Sequence, residues 1–198
     1  MDFPHDFFGS IVFFLRIPDS DFSRNKSFEK AVCDSSKIDP CYFHVGILSE
    51  NTTLIHSTVS LGVVEQNLLE VIENLKPDYI EFCEVEVDDS RKRSAVRFAS
   101  EAVGFGYNDL FSPENINSKG QKSFYCCQLV AQAYGRELFN AHKLNFKDKE
   151  GKLIDFWIHY FDERNRTIPQ VSFSFVFSGF SCQMLNVSSR RRSLIKFL

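Results

Sequence analysis

The stretch SFYCCQLVAQAY, residues 123–134, sets two adjacent cysteines where a helix is expected to begin, and two histidines stand upstream in strand-like runs, His44 in YFHVGI and His56 in LIHS. A thiol attacks as its thiolate, and the first turn of a helix favours the thiolate through unpaired N–H groups and the macrodipole. With Ser123 as N-cap, Cys126 and Cys127 both fall within the first turn and point roughly 100° apart. Leu129, Val130 and Ala133 lie three, four and seven residues beyond Cys126, which puts Cys126 on the apolar stripe and Cys127 off its edge. His44 and His56 belong to two strands of a hairpin turning near Glu50, opposite each other or one step out of register, with Cβ atoms roughly 4.5–8 Å apart. Gly46 lets a backbone or a substrate come close to this strand. Cys126, His44 and His56 would then be nucleophile, base and orienting group. The same residues have plainer roles open to them: a strand histidine as a structural group, a helix-stripe cysteine as core. Metal binding by Cys126 or Cys127 with two histidines is a third reading, but the C-x₂-C and H-x₃-H spacings of zinc sites are missing, so no metal is expected. His5, His142 and His159 lack comparable context and are read as structural.

The elements that must position these residues read as an α+β chain. SIVFFLRI (10–17) is a β-rich run ending at Pro18, followed by a loop with at most a helical turn over 19–40. CYFHVGIL (41–48) and TLIHSTV (53–59) flank the polar SENT as a hairpin. GVVEQ leads into a helix over 66–75, stopped before Pro77. YIEFCEVEV (79–87) alternates as a strand with one wet face. Asp89 or Ser90 caps a helix to about Val103, and the helix of Cys126 runs to about Phe139. VSFSFVFSGF near the C-terminus is β-rich. The architecture expected is an antiparallel sheet with helices packed on it.

At 198 residues, with 43% apolar and 25% charged side chains, the chain suits one soluble domain. Its 22 Phe point to a Phe-heavy β core, with a hydrophobic ligand groove as the sharper alternative. A net charge of −3 gives no reason to expect nucleic acid. Arg190, Arg191 and Arg192 form a local basic patch, a solvated tail or an address for a partner or membrane surface. MDFPHDFFGS lacks the features of a signal peptide, and no apolar run is long enough to span a membrane. The six cysteines are scattered, not spaced as a disulfide scaffold, and are read as reduced, hence a cytoplasmic protein.

Taken together, the segments resemble the circularly permuted papain-like cysteine hydrolases of the NlpC type, in their YiiX-like branch. GSIVFF resembles the opening strand, YFHVGIL the His-x-Gly-Ile strand, and LIHSTVSLGVVEQNL the strand that follows, where the family often has Glu or another polar residue at the place of His56. GYNDLF resembles the Tyr-Asn/Asp element, YCCQLV the Tyr-Cys-Ser-Glu-Leu-Val of the nucleophile, and FWIHYFDERNRTIPQ a C-terminal Trp-x-x-Tyr and Ile-Pro element. The likeness spans about residues 9–170. It implies a small antiparallel sheet or half-barrel packed against the Cys-bearing helix, with one domain over 1–185 and a basic tail over 186–198. It also implies a cysteine hydrolase cleaving an amide, isopeptide, N-acyl-lysine or (thio)ester bond through an acyl-enzyme, without a cofactor. The substrate would be a peptide, an acylated lysine or a lipid acyl group. The alternatives are a lipid acyltransferase or phospholipase on the same fold, or a catalytically silent binding module. By this alignment Cys126 is the nucleophile, Cys127 stands for Ser and Gln128 for Glu. Tyr107, Tyr125, Cys127 and Gln128 are expected beside the oxyanion or substrate. Ser10, His56 and Gln128 depart from the family's Asp, Glu and Glu.

Overall fold

IVFFLR carries no polar residue before its last position, and such a run belongs in the middle of a sheet with both faces covered. In the computed structural model, which describes residues 7–17, 27–35, 41–50, 52–169, 173–177 and 180–186, it forms β1 (Ile11–Arg16), buried throughout. The basic Arg190–Arg192 patch and His5 lie outside the described residues. β1 sits inside a six-stranded sheet with β2 (Cys41–Glu50), β3 (Thr53–Thr58), β4 (Gly62–Asn67), β5 (Tyr79–Val85) and β10 (Phe180–Asn186). Their order is β10-β5-β1-β2-β3-β4 and every pairing is antiparallel. GVVEQ, expected only as a lead into a helix, supplies the edge strand β4.

Helices cover both faces. On one, α2 (Leu68–Leu75) lays Leu68, Val71 and Ile72 against Val12, Phe14, Leu54 and Ile80. Asn67 caps it, its side-chain oxygen accepting from the Leu69 N–H at 2.9 Å. On the other, α3 (Asp89–Glu101) and α4 (Cys126–Tyr134) bring Ala95, Val96, Ala99, Leu129, Val130 and Tyr134 against Ile11, Phe13, Val45, Ile47 and Ile55. α3 is capped one residue earlier than expected, by Asp88, which accepts from the Arg91 N–H at 2.8 Å.

α4 is shorter at both ends than its sequence suggests. Ser123 is not its cap, because Ser123–Phe124 is a short strand, β7, paired in parallel with β6 (Gly106–Tyr107). The N-cap is Tyr125, so Cys126 and Cys127 are the first two helical residues. At the other end Gly135 turns to φ 95°, which stops the helix before a 3₁₀ turn, Arg136–Leu138. Phe139 instead opens β8 (Phe139–Lys143), antiparallel to β9 (Phe173–Phe177).

A third core lies beside the sheet. α1 (Ser27–Ser35), longer than the single turn expected there, packs against α5 (Asp155–Asp162) and the loops between. Phe111, Phe146, Trp157, Tyr160 and Phe161 are buried together with Phe28 at their edge, so part of the Phe content builds helix packing away from the sheet. Trp157 ties the cluster to α1 by donating from Nε1 to Ser35 Oγ at 2.9 Å. Trp157→Ala is expected to cost about 3–5 kcal/mol, read as a lowered urea midpoint with little change in slope.

One expectation fails in the sheet. Cys83 on β5 is in a disulfide, while Cys33, Cys41, Cys126 and Cys127 are free thiols. The β5–β10 register sets Cys182 opposite Cys83, a juxtaposition that distant sequence positions do not disclose. The reading of all six cysteines as reduced is therefore incorrect. No helix among the described residues is long and apolar enough to cross a membrane.

Candidate functional site

The β2–β3 ladder runs from Glu50–Thr53 to Gly46–His56, so His56 faces Gly46, not His44. His44 is two residues farther along β2, on the same side by the strand period, and reaches His56 diagonally. The gap left by Gly46 is filled by side chains of this hairpin: a methyl there would stand 2.9 Å from Leu54 Cδ1 and 3.0 Å from His56 Cβ. The close approach is thus made by the protein's own side chains, and the rings of His44 and His56 meet edge-on with centroids 5.0 Å apart. Their nitrogens, His44 Nε2 and His56 Nδ1, are 2.7 Å apart.

The same diagonal step repeats on the next strand. His56 pairs with Val64 and Leu54 with Gln66, which brings Gln66 Oε1 to 2.9 Å from His56 Nε2. Gln66 was not singled out from sequence. The signal was there in the alternation of VVEQN, once that segment is taken as a strand paired with LIHS. An amide oxygen only accepts, so His56 Nε2 carries its proton, and His56 Nδ1 accepts from His44 Nε2–H. That leaves His44 Nδ1 for a third partner. His56 is 2% exposed, and burial, then the nearby charge of His44, pushes its pKa down to about 3, against the opposing pull of Gln66. It is a neutral group across ordinary pH.

The third partner is Cys126. Its thiol is held well below the usual thiol range, first by the hydrogen bond from Cys127, then by its hydrogen bond with His44, the charge of His44 and the Cys127 N–H, with burial working the other way. Both cysteines are half-buried and pack on the sheet core, and Cys127 touches the aromatic cluster as well. The stripe therefore does not separate them as expected. His44 does, since Cys126 bonds it and Cys127 donates to the Cys126 sulfur.

Buried polar ties fix the start of α4 against the hairpin. Ser57 Oγ, next to His56, donates to the Phe124 carbonyl at 2.6 Å. Asn108 Nδ2 donates to Gln128 Oε1 at 2.9 Å and to the Ser112 carbonyl at 2.7 Å, and Gln128 Nε2 donates to that same carbonyl at 2.9 Å. Gln128 Oε1 also accepts from the Tyr125 N–H at 3.4 Å. Gln128, expected beside the substrate, is 1% exposed and acts as a strut at the start of α4, behind Cys126. Tyr125 is also buried, its ring 5.5 Å from Phe111, and burial followed by Cys127 and Cys126 raises its hydroxyl pKa. Tyr107 is half-buried, and burial, then Cys126, raises the pKa of its phenol. His159 is exposed on α5. Among the described residues no three His, Cys, Asp or Glu side chains are grouped to hold a metal ion.

The chain matches no protein-family model and no curated protein. Its fold is similar to the crystal structure of the metalloprotein YiiX from Escherichia coli O157:H7, with a TM-score of 0.63 at 17% identity over 88% of this chain and 94% of that one. At that identity the likeness is one of fold: an α+β chain of the YiiX type.

Proposed function

We propose that the protein is a cysteine hydrolase working through a thioester acyl-enzyme, on a permuted papain-like fold in which His44 and His56 precede the nucleophile in the chain. The observation that carries this reading is the unbroken line from Cys126 through His44 and His56 to Gln66, with the thiol at the first position of a helix. In this mechanism the Cys126 thiolate attacks the substrate carbonyl and His44, protonated at Nδ1, gives that proton to the leaving amine or alcohol. His44 then takes a proton from water, the hydroxide attacks the thioester, and Cys126 returns as thiolate with the proton on His44. His56, held neutral, keeps the His44 ring turned so that Nδ1 meets sulfur. The Cys126 N–H, at the first position of α4, has no helical carbonyl partner and would serve the oxyanion, with the Tyr107 phenol as a second donor.

The test is acyl trapping. The protein incubated briefly with p-nitrophenyl butyrate at pH 6 and quenched in acid is expected to gain one butyryl group on Cys126 by intact mass and peptide mapping. His44→Ala is expected to remain unmodified over the same interval. An adduct on Cys127, or none on Cys126 with this ester and with a matched acyl-peptide thioester, would sink the proposal.

A further inference from the structure

Beyond Tyr107 the surface opens into a groove of about 490 Å³ that does not include the thiol itself. One wall is the β3–β4 turn, where Val59 and Leu61 are 48% and 60% exposed. The other is the loop that folds back before β7, carrying Lys119 and Lys122, with Arg164 at its end. Tyr107 is the shared boundary: it lines the groove and lies within electrostatic reach of both Cys126 and Cys127.

The charges in this groove do not balance. Asp109 is the one carboxylate among its lining residues, and it is engaged: Arg164 Nε lies 3.3 Å from its Oδ2, while Ser118 donates to it from N at 2.8 Å and from Oγ at 2.7 Å. The Arg164 guanidinium is further held over the Tyr160 ring, 3.6 Å from its centroid, and donates from Nη1 to the Tyr160 carbonyl at 2.6 Å. With Arg164 paired to Asp109 and, at 3.8 Å, to Glu163 outside the groove lining, the ammonium groups of Lys119 and Lys122 are left as the positive charge of one wall. Lys122 Nζ stands over the Phe105 ring, 4.8 Å from its centroid, which holds the charge beside an apolar floor. In a chain whose net charge is −3, this is a local reversal of sign facing an apolar wall.

Resting on the hydrolase reading, we infer that this groove receives a carboxylate or phosphate borne on a short apolar stem of the substrate, with Lys119 and Lys122 meeting the anion and Val59, Leu61 and Phe105 the stem. The acyl carbonyl then lies on the Tyr107 side, toward Cys126. Because both lysines are exposed, each contributes modestly and is screened by salt, so their joint effect is roughly five-fold on affinity at low ionic strength.

The experiment compares p-nitrophenyl esters of equal length ending in methyl, carboxylate or phosphonate: valerate, hemiglutarate and 4-phosphonobutyrate. Wild type is expected to favour at least one anionic ester over valerate by about five-fold in kcat/KM, through KM and not kcat, and the better anion names the source. Lys119→Ala/Lys122→Ala abolishes the preference, Lys119→Glu/Lys122→Glu inverts it, and 0.5 M NaCl erodes it in wild type. Equal rates for all three esters, or a preference that survives the double substitution, overturn the inference while leaving the hydrolase intact. If no ester is cleaved and Cys126 gains no adduct, the hydrolase reading has failed. The groove is then judged by calorimetry with glutarate on Cys126→Ala, where binding lost in the lysine pair supports the anion site and no binding overturns it.

Discussion

At pH 6, iodoacetamide is expected to alkylate Cys126 at least ten-fold faster than Cys33, Cys41 or Cys127, and His44→Ala is expected to reduce that advantage several-fold. An ordinary thiol is well under 1% thiolate at this pH, since its pKa lies near 8.5. The Cys126 thiol is shifted well below that by its hydrogen bonds from Cys127 and with His44, so its thiolate share is larger. A larger thiolate fraction speeds attack, and the weaker intrinsic nucleophilicity of a low-pKa sulfur returns part of the gain. Cys33 goes the other way, its pKa raised by its hydrogen bond to Cys41 and by burial. Cys126 and Cys127 share one peptide, so fragmentation spectra must assign the adduct, and Cys127→Ser provides the control. Because Cys127 donates to the Cys126 sulfur, that substitution is expected to retain a serine donor and most of the rate, whereas Cys127→Ala slows it several-fold. Hydrolysis should follow the labelling: Cys126→Ala and His44→Ala are each expected to lower kcat by 10³ or more. Preferential labelling of Cys127, or a Cys126 rate unchanged in His44→Ala, would show that this thiol is not activated by this base.

The parts of this site legible in the sequence are those set by local pattern. The period-two runs around SENT disclosed the hairpin, and the CCQLVAQAY stripe disclosed α4, because hydrophobic alternation and helical spacing are local properties. What was not legible depends on register. A two-residue diagonal and not a facing pair joins His44 to His56, and only the Gly46–His56 pairing reveals it. Gln66 enters by the same step on β4, a strand whose polar half reads as the start of the helix over 66–75 until its neighbour is known. Ser123 looked like a cap by residue type, but its backbone is committed to the β6–β7 ladder, and tertiary pairing outweighs a capping preference of about 1 kcal/mol. Gln128 stands two residues after Cys126 in sequence and therefore looked like part of the reaction. Its place at the third turn position instead directs it into Asn108 and Ser112, where it sets the helix start rather than the chemistry.

His56 carries the second large effect, in two readouts that move differently. Replacing it with Leu removes the acceptor that turns His44 and should lower kcat by about 10²–10⁴ with little change in KM, the signature of an orienting group that does not touch substrate. His56→Asn keeps an acceptor of shorter reach and is expected to recover part of the loss. Stability answers separately. Folded His56 has its pKa pushed down from 6.5 to about 3, so below pH 6.5 the unfolded chain takes up a proton that the folded chain refuses. The stabilisation is complete above pH 6.5 and drains away as the pH falls toward 3, at up to about 1.4 kcal/mol per pH unit. Urea unfolding at pH 7.5 and 4.5 should therefore differ by about 2–3 kcal/mol more in wild type than in His56→Leu, which has no proton to refuse. If both lose stability in parallel on acidification, His56 is not the buried neutral imidazole that the His44–His56–Gln66 line requires. A His44 held by a charged neighbour would be a poor acceptor for the proton of Cys126.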